Sequence, residues 1–352
     1  MALRVVQWAT GSVGVAAING VLEHPELELV GCWVHSKAKS GKDVGEIIGA
    51  APLGVAATDS IEAVLALDAD AVIYAPLLPN PDEVAALLRS GKNVVTPVGW
   101  FYPGEREAAP LEAAALAGNA TLHGAGIGPG AATELFPLLL SVMSTGVRFV
   151  RSEEFSDLRT YGAPDVLRHV MGFGGTADDA LTGPMQKLLD GGFIQSVRLC
   201  VDRLGFVADP QIRSSQEVAV ATAPIESPIG VIEPGRVAGR RFHWEATVAG
   251  STVVRITVNW LMGEENLDPP WTFGTEGERY EIEVRGNPDT FVTVKGWQPE
   301  SVEAGLRSNP GIVATAAHCV NAIPATCAAP PGIRSFFDLP PITGRAAADL
   351  AR

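Results

Sequence analysis

Cations are scarce along this chain: 26 lysines and arginines stand against 40 aspartates and glutamates, a formal net charge of −14 at pH 7. That balance excludes a general nucleic-acid or anionic-membrane surface, because both need an excess of basic side chains. Cysteine is also rare. The four present (Cys32, Cys200, Cys319 and Cys327) show no C-x-x-C spacing, which excludes a zinc ribbon or disulfide frame and suits buried thiols in a reducing compartment. Six histidines are scattered without metal-ligand spacing, so no metal is expected. No apolar run reaches the length of a membrane span, no basic leader precedes the first strand, and no internal repeat or low-complexity segment is visible. The expectation is a soluble, cytoplasmic protein without a membrane or nucleic-acid partner. Apolar residues are abundant at 47 %, and 352 residues suit two domains, or one large domain with an insertion.

The most informative segment comes first. Leu3-Arg4-Val5-Val6-Gln7-Trp8 reads as a short buried strand, Ala9-Thr10-Gly11-Ser12-Val13-Gly14 as a phosphate-binding turn, and Val15-Ala16-Ala17-Ile18 as the opening of a helix. A dinucleotide fingerprint needs that strand–turn–helix context. Gly11 would let the backbone approach a pyrophosphate, Gly14 would let the helix pack close to the strand, and free N–H groups at the helix start would face the anion. Ala9 departs from the pattern, standing where the first glycine usually sits.

Strand and helix patterns alternate through the first third. Strands are expected at 27–34, 55–57, 69–74, 93–95 and 120–123, with helices at about 81–89 and 106–117. Such alternation implies a parallel sheet with right-handed crossovers. The fold class is therefore α/β: a Rossmann-type doubly wound sheet over residues 1–130. After the glycine-rich hinge at 124–130 the character changes. An apolar helix at 131–143 carries Pro137, which should kink it or sit near its first turn. Long strand-like runs follow at 147–155, 216–223, 241–248, 252–261, 279–284 and 290–294, with two or three helices between 164 and 204. This suggests an inserted α+β substrate and dimerisation domain, largely antiparallel, at 131–307. The helix at 311–321, stopped by Ile323-Pro324, should return to the first domain, which 308–352 would complete.

The end of the second strand reads Val34-His35-Ser36-Lys37-Ala38-Lys39-Ser40-Gly41-Lys42, with no carboxylate before Asp43. An acidic residue there would bond ribose hydroxyls and repel a 2′-phosphate. Hydroxyls and lysines would instead welcome one. NADP(H) is therefore expected to be preferred, with NAD(H) possible. His35, Ser36 and Lys39 join Thr10, Gly11, Ser12, Val13 and Gly14 as cofactor-binding candidates.

The pattern 5–14, the run Leu29-Val30-Gly31-Cys32-Trp33-Val34-His35-Ser36, and the segments 91–96, 128–130 and 320–324 resemble the dihydrodipicolinate reductase-like proteins of actinobacteria, which are related to 2,4-diaminopentanoate dehydrogenase and the native amine dehydrogenases. The resemblance implies NAD(P)-dependent reduction of a C=O or C=N bond, an active site between two domains, and a homodimer. Two departures matter. The segment 153–165 lacks the histidine pair and lysine of true dihydrodipicolinate reductases, so lysine biosynthesis is not expected. The stretch Thr96-Pro97-Val98-Gly99-Trp100-Phe101-Tyr102-Pro103 lacks the glutamate that the amine dehydrogenases place after the fifth strand. Trp100 and Phe101 suggest a hydrophobic pocket wall there instead.

Hydride transfer asks the protein for orientation and a proton source. The nicotinamide should lie near Ala75, Pro76, Thr96, Pro97 and Gly128, at the carboxyl ends of the strands. Asn321 could bond its carboxamide or simply end the last helix. Tyr161 is one proton-donor candidate. Asp165 and His169, four apart, would share a helix face if Pro164 starts the helix, and such a pair could deliver a proton near neutral pH. Glu153 and Glu154 alternate in facing, so at most one should point into a cleft. Three readings follow. The first is an NAD(P)H-dependent oxidoreductase reducing a C=O or C=N bond of a small, mostly apolar substrate, with a proton from Tyr161 or the Asp165–His169 pair. The second is an amine dehydrogenase in which another carboxylate, Glu154, replaces the missing glutamate. The third is a non-catalytic NADP-binding sensor.

Overall fold

The computed structural model, which describes residues 2–347 and 349–350, folds into two compact units, Met1–Gly130 with Ile312–Arg352, and Ala131–Gly311. β-Branched and aromatic residues start the chain as β1 (Leu3–Trp8), followed by α1 (Ser12–Glu23), β2 (Leu27–Trp33), α2 (Val44–Ile48), β3 (Ala57–Thr58), α3 (Ile61–Ala66), β4 (Ala71–Tyr74), α4 (Pro81–Arg89), β5 (Asn93–Thr96), α5 (Glu105–Gly118) and β6 (Thr121–Gly124). A wide helical turn over Ile127–Leu135 leads to α6 (Phe136–Ser141), β7 (Thr145–Asp157), α7 (Ala177–Thr182), α8 (Met185–Leu204), β8 (Arg213–Ala221), β9 (Ile225–Ser227), β10 (Gly230–Ile232), β11 (Val237–Val248), β12 (Ser251–Leu261), β13 (Leu267–Asp268), β14 (Arg279–Asn287), β15 (Thr290–Val294) and α9 (Val302–Arg307). α10 (Pro310–Ala328) and β16 (Gly332–Ile333) close the chain.

In the first unit seven parallel strands run in the order β16-β6-β5-β4-β1-β2-β3. The order reverses between β1 and β4, and such switch points are where doubly wound sheets bind ligands beyond the carboxyl ends of their strands. Helix starts are set locally. The Asp43 side chain accepts from the Gly45 N–H ahead of α2, Ser60 from Ala63 ahead of α3, and Asn80 from Asp82 ahead of α4, where Pro81 takes the first position. At α1 the capping position is Gly11, and no side chain caps it. The core is unusually aromatic beneath the strand ends: Trp8 and Trp33 stack at 4.4 Å, with Tyr74 at 5.7 Å from Trp8.

Three expectations need correction here. The third strand is shifted to Ala57–Thr58, because the Val55 carbonyl accepts from Val44 N–H instead of joining the sheet. The last helix does not stop at Ile323-Pro324 but runs on to Ala328. Pro324 removes only its own N–H donor, while buried Ala322 and Ile323 and the Thr326 hydroxyl on the Ala322 carbonyl (2.8 Å) hold the helix on both sides. That helix is also, by length and a mean hydropathy of 1.3, long enough to cross a membrane, contrary to the sequence expectation. In this fold Ala316, Cys319, Val320, Ala322 and Ile323 are buried, and one Val320 methyl lies 3.2 Å from where a Cβ on Gly20 would stand.

In the second unit the strand order is β13-β8-β11-β12-β7-β14-β15. The sheet is antiparallel except for β7 and β12, which pair in parallel, Glu154 opposite Val258 and Ser156 opposite Trp260. The apolar segment after the hinge is two pieces, not one helix: the turn to Leu135, then α6 with Pro137 in its first turn. One face of the sheet carries an aromatic core, with Trp244 stacked on Phe193 of α8 at 4.2 Å and donating to Asp190 at 2.7 Å. The other carries ion pairs, in which Arg151 bonds Glu153, Glu281 and Glu283.

Arg240, only 1 % exposed, is the least expected core residue. Its guanidinium donates to the carbonyls of Met171 (2.6 Å) and Ala180 (2.8 Å) and to the Gln216 side chain. Burial pulls its pKa down to about 10. This side chain fastens the segment between Met171 and Ala180 to the sheet. Arg240→Ala is expected to lower unfolding stability by about 2–3 kcal/mol, since two buried carbonyls lose charge-assisted donors; urea denaturation checks it, and an unchanged midpoint contradicts it.

Candidate functional site

The turn between β1 and α1 is built by the sequence departure itself. Ala9 adopts φ 73°, the left-handed region that a glycine occupies freely. It is held there by Gln7, whose side-chain amide donates to the carbonyls of Trp8 (3.1 Å) and Ala9 (3.0 Å). The same Ala9 carbonyl lies 2.2 Å from where a Cβ on Gly14 would stand. Only a glycine at 14 lets α1 press this closely on the turn. With Gly11 and Ser12 exposed and no side-chain cap, the first N–H groups of α1 have no partner within the helix. The cradle fits a pyrophosphate.

The basic loop after β2 comes to the same place. The Lys39 ammonium donates to the Thr10 hydroxyl at 3.0 Å and the Thr10 carbonyl at 3.3 Å, joining two candidates that are distant in sequence. His35 and Ser36 are exposed, with the His35 ring 6.2 Å from Trp33. Lys42 and Ser40 are turned to internal partners, Glu46 and Asp59, both at 2.7 Å. Asp43 is committed to backbone N–H groups of Gly45, Leu53 and Gly54. Asp59, beyond β3, was not singled out in the sequence; its bond from Ser40 holds its carboxyl below the usual range.

Ala75 and Pro76 follow β4, and Thr96 and Pro97 mark the end of β5. The Ala75 N–H bonds the Trp8 carbonyl (3.2 Å), and the Thr96 hydroxyl accepts from Val98 N–H (3.2 Å). Gly128 is exposed in the segment after β6, and Asn321 lies within α10 and not at its end. Trp100 and Phe101 are buried, at 5 % and 3 % exposure. Trp100 belongs to the first unit's aromatic core, and the Phe101 backbone lies 2.8 Å from a Cβ built on Gly124. His123 is wholly buried against Phe336 with its Nδ1 2.8 Å from the Arg334 carbonyl, and burial drops its pKa to about 4. His318 stacks on the same Phe336 ring.

The second unit holds the proton-donor candidates. Asp165 and His169 do not form the expected pair. The chain there winds into a wider turn, in which Met171 N–H reaches back five residues to Val166, and both side chains are exposed with no ion pair between them among the described residues. Tyr161 follows the short helical turn after β7, and burial raises its hydroxyl's pKa.

Glu154 is better placed. Alternation along β7 sends Glu153 to the ion-pair face and Glu154 to the aromatic face. Trp260 Nε1 donates to the Glu154 carboxylate at 2.9 Å, Ser156 at 2.8 Å, and Tyr280 hydrogen-bonds it from the neighbouring strand. Burial nonetheless pushes the carboxyl above its ordinary value, and the three hydrogen bonds only temper the rise. The surroundings are aromatic: Trp260 meets Phe242 edge-on at 5.6 Å, Tyr280 meets Trp297 at 5.4 Å, and Phe136 stacks on Trp297 at 5.8 Å. At the end of β7 a cavity of about 590 Å³ is lined by Asp157, Arg159, Met262, Phe273 and Glu278 among others. Burial pushes Glu278 up to about 7. Sequence reading assigned no role to Ser156, Trp260, Tyr280 or Glu278. Only strand pairing, which puts Tyr280 opposite Glu154, brings them together. Among the described residues, no three His, Cys, Asp or Glu side chains gather as a metal site.

Comparison with known proteins agrees with this architecture. The family model described as the 2,4-diaminopentanoate dehydrogenase C-terminal domain matches residues 134–350, and that of the dihydrodipicolinate reductase N-terminus matches residues 5–95. The chain is 32 % identical over 364 residues to an amine dehydrogenase of Streptomyces virginiae, covering 97 % of this chain and 98 % of that one. It is 26 % identical over 265 residues to a 2,4-diaminopentanoate dehydrogenase of Acetoanaerobium sticklandii, covering 74 % and 69 %. Its fold is that of an amine dehydrogenase structure from Mycobacterium smegmatis, with a TM-score of 0.80 at 23 % identity over 97 % of each chain.

Proposed function

The chain belongs to the family of the 2,4-diaminopentanoate and amine dehydrogenases and is an NAD(P)-dependent oxidoreductase, and from that premise we propose that it aminates a small, mostly apolar ketone or aldehyde, with NADPH and ammonium as co-substrates and Glu154 as the acid–base group. The observation that carries the reading is Glu154 itself: a carboxylate set among aromatic rings, oriented by Trp260, Ser156 and Tyr280, and raised by burial toward the pH at which protons must move. It substitutes for the glutamate missing after β5. Aromatic side chains around it suit an apolar substrate better than a dicarboxylate.

When bound, the nicotinamide supplies the hydride. The protein's part is positioning and proton traffic. The open start of α1 and the Gly11–Gly14 cradle hold the pyrophosphate, and Thr10, Ser36, Lys39 and His35 receive the 2′-phosphate. Pro76, Thr96, Pro97, Gly128 and Asn321 border the nicotinamide. Glu154 accepts a proton from ammonium, so that neutral ammonia can attack the carbonyl, and returns it as the carbinolamine loses water. Tyr161 is the alternative donor if the substrate is a carbonyl reduced without ammonia. The four cysteines are free thiols, which suits a cytoplasmic setting, and a homodimer is the expected assembly.

NADPH oxidation against a panel of small cyclic and linear ketones, with and without excess ammonium, tests the reading. Turnover that requires ammonium supports it. Turnover indifferent to ammonium replaces it with a carbonyl reductase, and silence in both arms with NADPH still bound favours a nucleotide sensor. The NADP preference has its own test: Lys39→Ala should weaken NADPH binding about tenfold while leaving NADH within about twofold, the loss of one charge-assisted contact to phosphate. Equal losses for both nucleotides would show that Lys39 braces Thr10 and does not read the 2′-phosphate.

A further inference from the structure

The second sheet carries its helices on one side. α8 packs there through Phe193 on Trp244, α7 through the Ala180 carbonyl that Arg240 bonds, and α6 through Phe136, stacked on the Trp297 ring that meets Tyr280. Side chains of the opposite parity form the ion-pair face. Its charges are bonded in rows across the strands. Arg151 bonds Glu153, Glu281 and Glu283, Arg279 bonds Glu281, Arg285 bonds Glu283, and Arg255 bonds Glu245. Arg241 lies 3.7 Å from Glu217, and Arg213 stands opposite Glu245. Phe291, opposite Glu283, belongs to the same face and is 64 % exposed. Arg255 and Glu217 are exposed as well, at 42 % and 53 % of their side chains. Six arginines thus share this face with five glutamates. The rest of the chain holds 20 of the 26 cations and 35 of the 40 carboxylates.

We propose that this ion-pair face is the surface through which two copies of the chain associate, sheet against sheet across a twofold axis. It locates the interface of the expected homodimer and does not depend on the Glu154 reading. Three properties of the face select a second copy as its occupant. The first is net charge. Each chain carries −14, so two copies repel over most of their surfaces, whereas this face is close to neutral. The second is the arrangement of the charges. Arginine and glutamate interleave along and across the strands, so a copy turned by a twofold axis presents both signs to both signs, as a self-complementary contact requires. Because each guanidinium is already matched by a carboxylate of its own chain, burying the face strands few uncompensated charges. The third is size. Five of its strands have nine to thirteen residues. At about 3.3 Å per residue and about 4.8 Å between strands, the face spans roughly 30 Å by 25 Å, comparable with the ~800 Å² per partner of a stable interface. Phe291 supplies an exposed aromatic ring on it, the residue type that anchors such contacts.

Sedimentation velocity of the full chain at micromolar concentration tests the proposal. Wild type should sediment as a dimer. Arg255→Glu, on β12 in the body of the face, and Phe291→Glu, on β15 at its edge, each place an unmatched carboxylate against the second copy. Each should weaken self-association about tenfold or more. Both positions are exposed in the single chain, so the fold should survive, which circular dichroism checks, and two sites keep the test open if one variant misfolds. The rival surface is the exposed apolar group Leu139, Val142 and Met143 at the end of α6. Val142→Glu changes apolar to acidic there and should leave the dimer intact. Loss of the dimer in a folded face variant, with Val142→Glu still dimeric, is the result expected. A monomeric wild type, a dimer that neither face variant weakens, or one that Val142→Glu weakens as much overturns the proposal.

Discussion

Glu154→Gln is expected to lose about 10²- to 10⁴-fold in kcat for ammonium-dependent ketone reduction, the usual weight of a positioned acid–base group. Glutamine keeps a carbonyl oxygen to accept from Trp260 and Ser156, so the local geometry should persist. What disappears is the ability to take the ammonium proton and return it. Stability should move the other way. Burial raises the folded-state pKa of Glu154 above its value in the unfolded chain, so between those two values the folded protein binds more protons and stability falls as pH rises. Above both values the ionised carboxylate is then a cost that glutamine removes, and Tm there should stay level or rise. An inactive variant with an undiminished Tm separates a catalytic loss from a folding defect. A variant of normal activity would remove Glu154 from the chemistry.

Gly14→Ala should have the second largest effect, and on nucleotide binding. The added methyl would stand 2.2 Å from the Ala9 carbonyl oxygen and 3.0 Å from its carbon, both backbone atoms that cannot swing aside. Either α1 backs away from the turn or the turn opens. Each displaces the N–H groups that face the pyrophosphate. A loss of about 10- to 100-fold in NADPH affinity is expected, roughly 1.4–2.8 kcal/mol, readable by titration calorimetry. Because Ala9 already occupies a left-handed conformation, the turn has little slack to absorb the shift. Unchanged affinity would mean that the nucleotide does not sit on this turn.

Much of the fold was legible because it is written in short-range patterns. Alternating strands and helices, the Pro81 helix start and the strand at 290–294 all depend on neighbours within a few residues, and they appear where the sequence places them. The strand, turn and helix over 3–23 were equally legible, and the sequence marked Ala9 as the departure in that turn. The proton chemistry was not. Asp165 and His169 have helical spacing, but spacing assumes an α-helix, and the chain there winds wider. Glu154 was visible as one of two alternating carboxylates. Its partners Trp260 and Tyr280 lie more than a hundred residues away and meet it only through strand register. Arg240 carries no sequence mark of its role, because two of its three acceptors are backbone carbonyls, which every residue has. Pro324 misled for the converse reason: a local helix breaker was overridden by burial on both sides.

The central claim, that a half-buried, raised carboxylate at position 154 does the acid–base work, is tested most directly by the pH dependence of kcat for wild type and Glu154→Gln with the same ketone and saturating ammonium. Glu154 must be ionised to accept the ammonium proton, so wild-type kcat should fall as pH drops through its pKa. That break should lie above the ordinary glutamate value of 4.5, in the direction burial drives it. The residual activity of Glu154→Gln should show no such limb. A wild-type break at the ordinary glutamate value, or the same limb surviving in Glu154→Gln, would contradict the account and return the search to Tyr161.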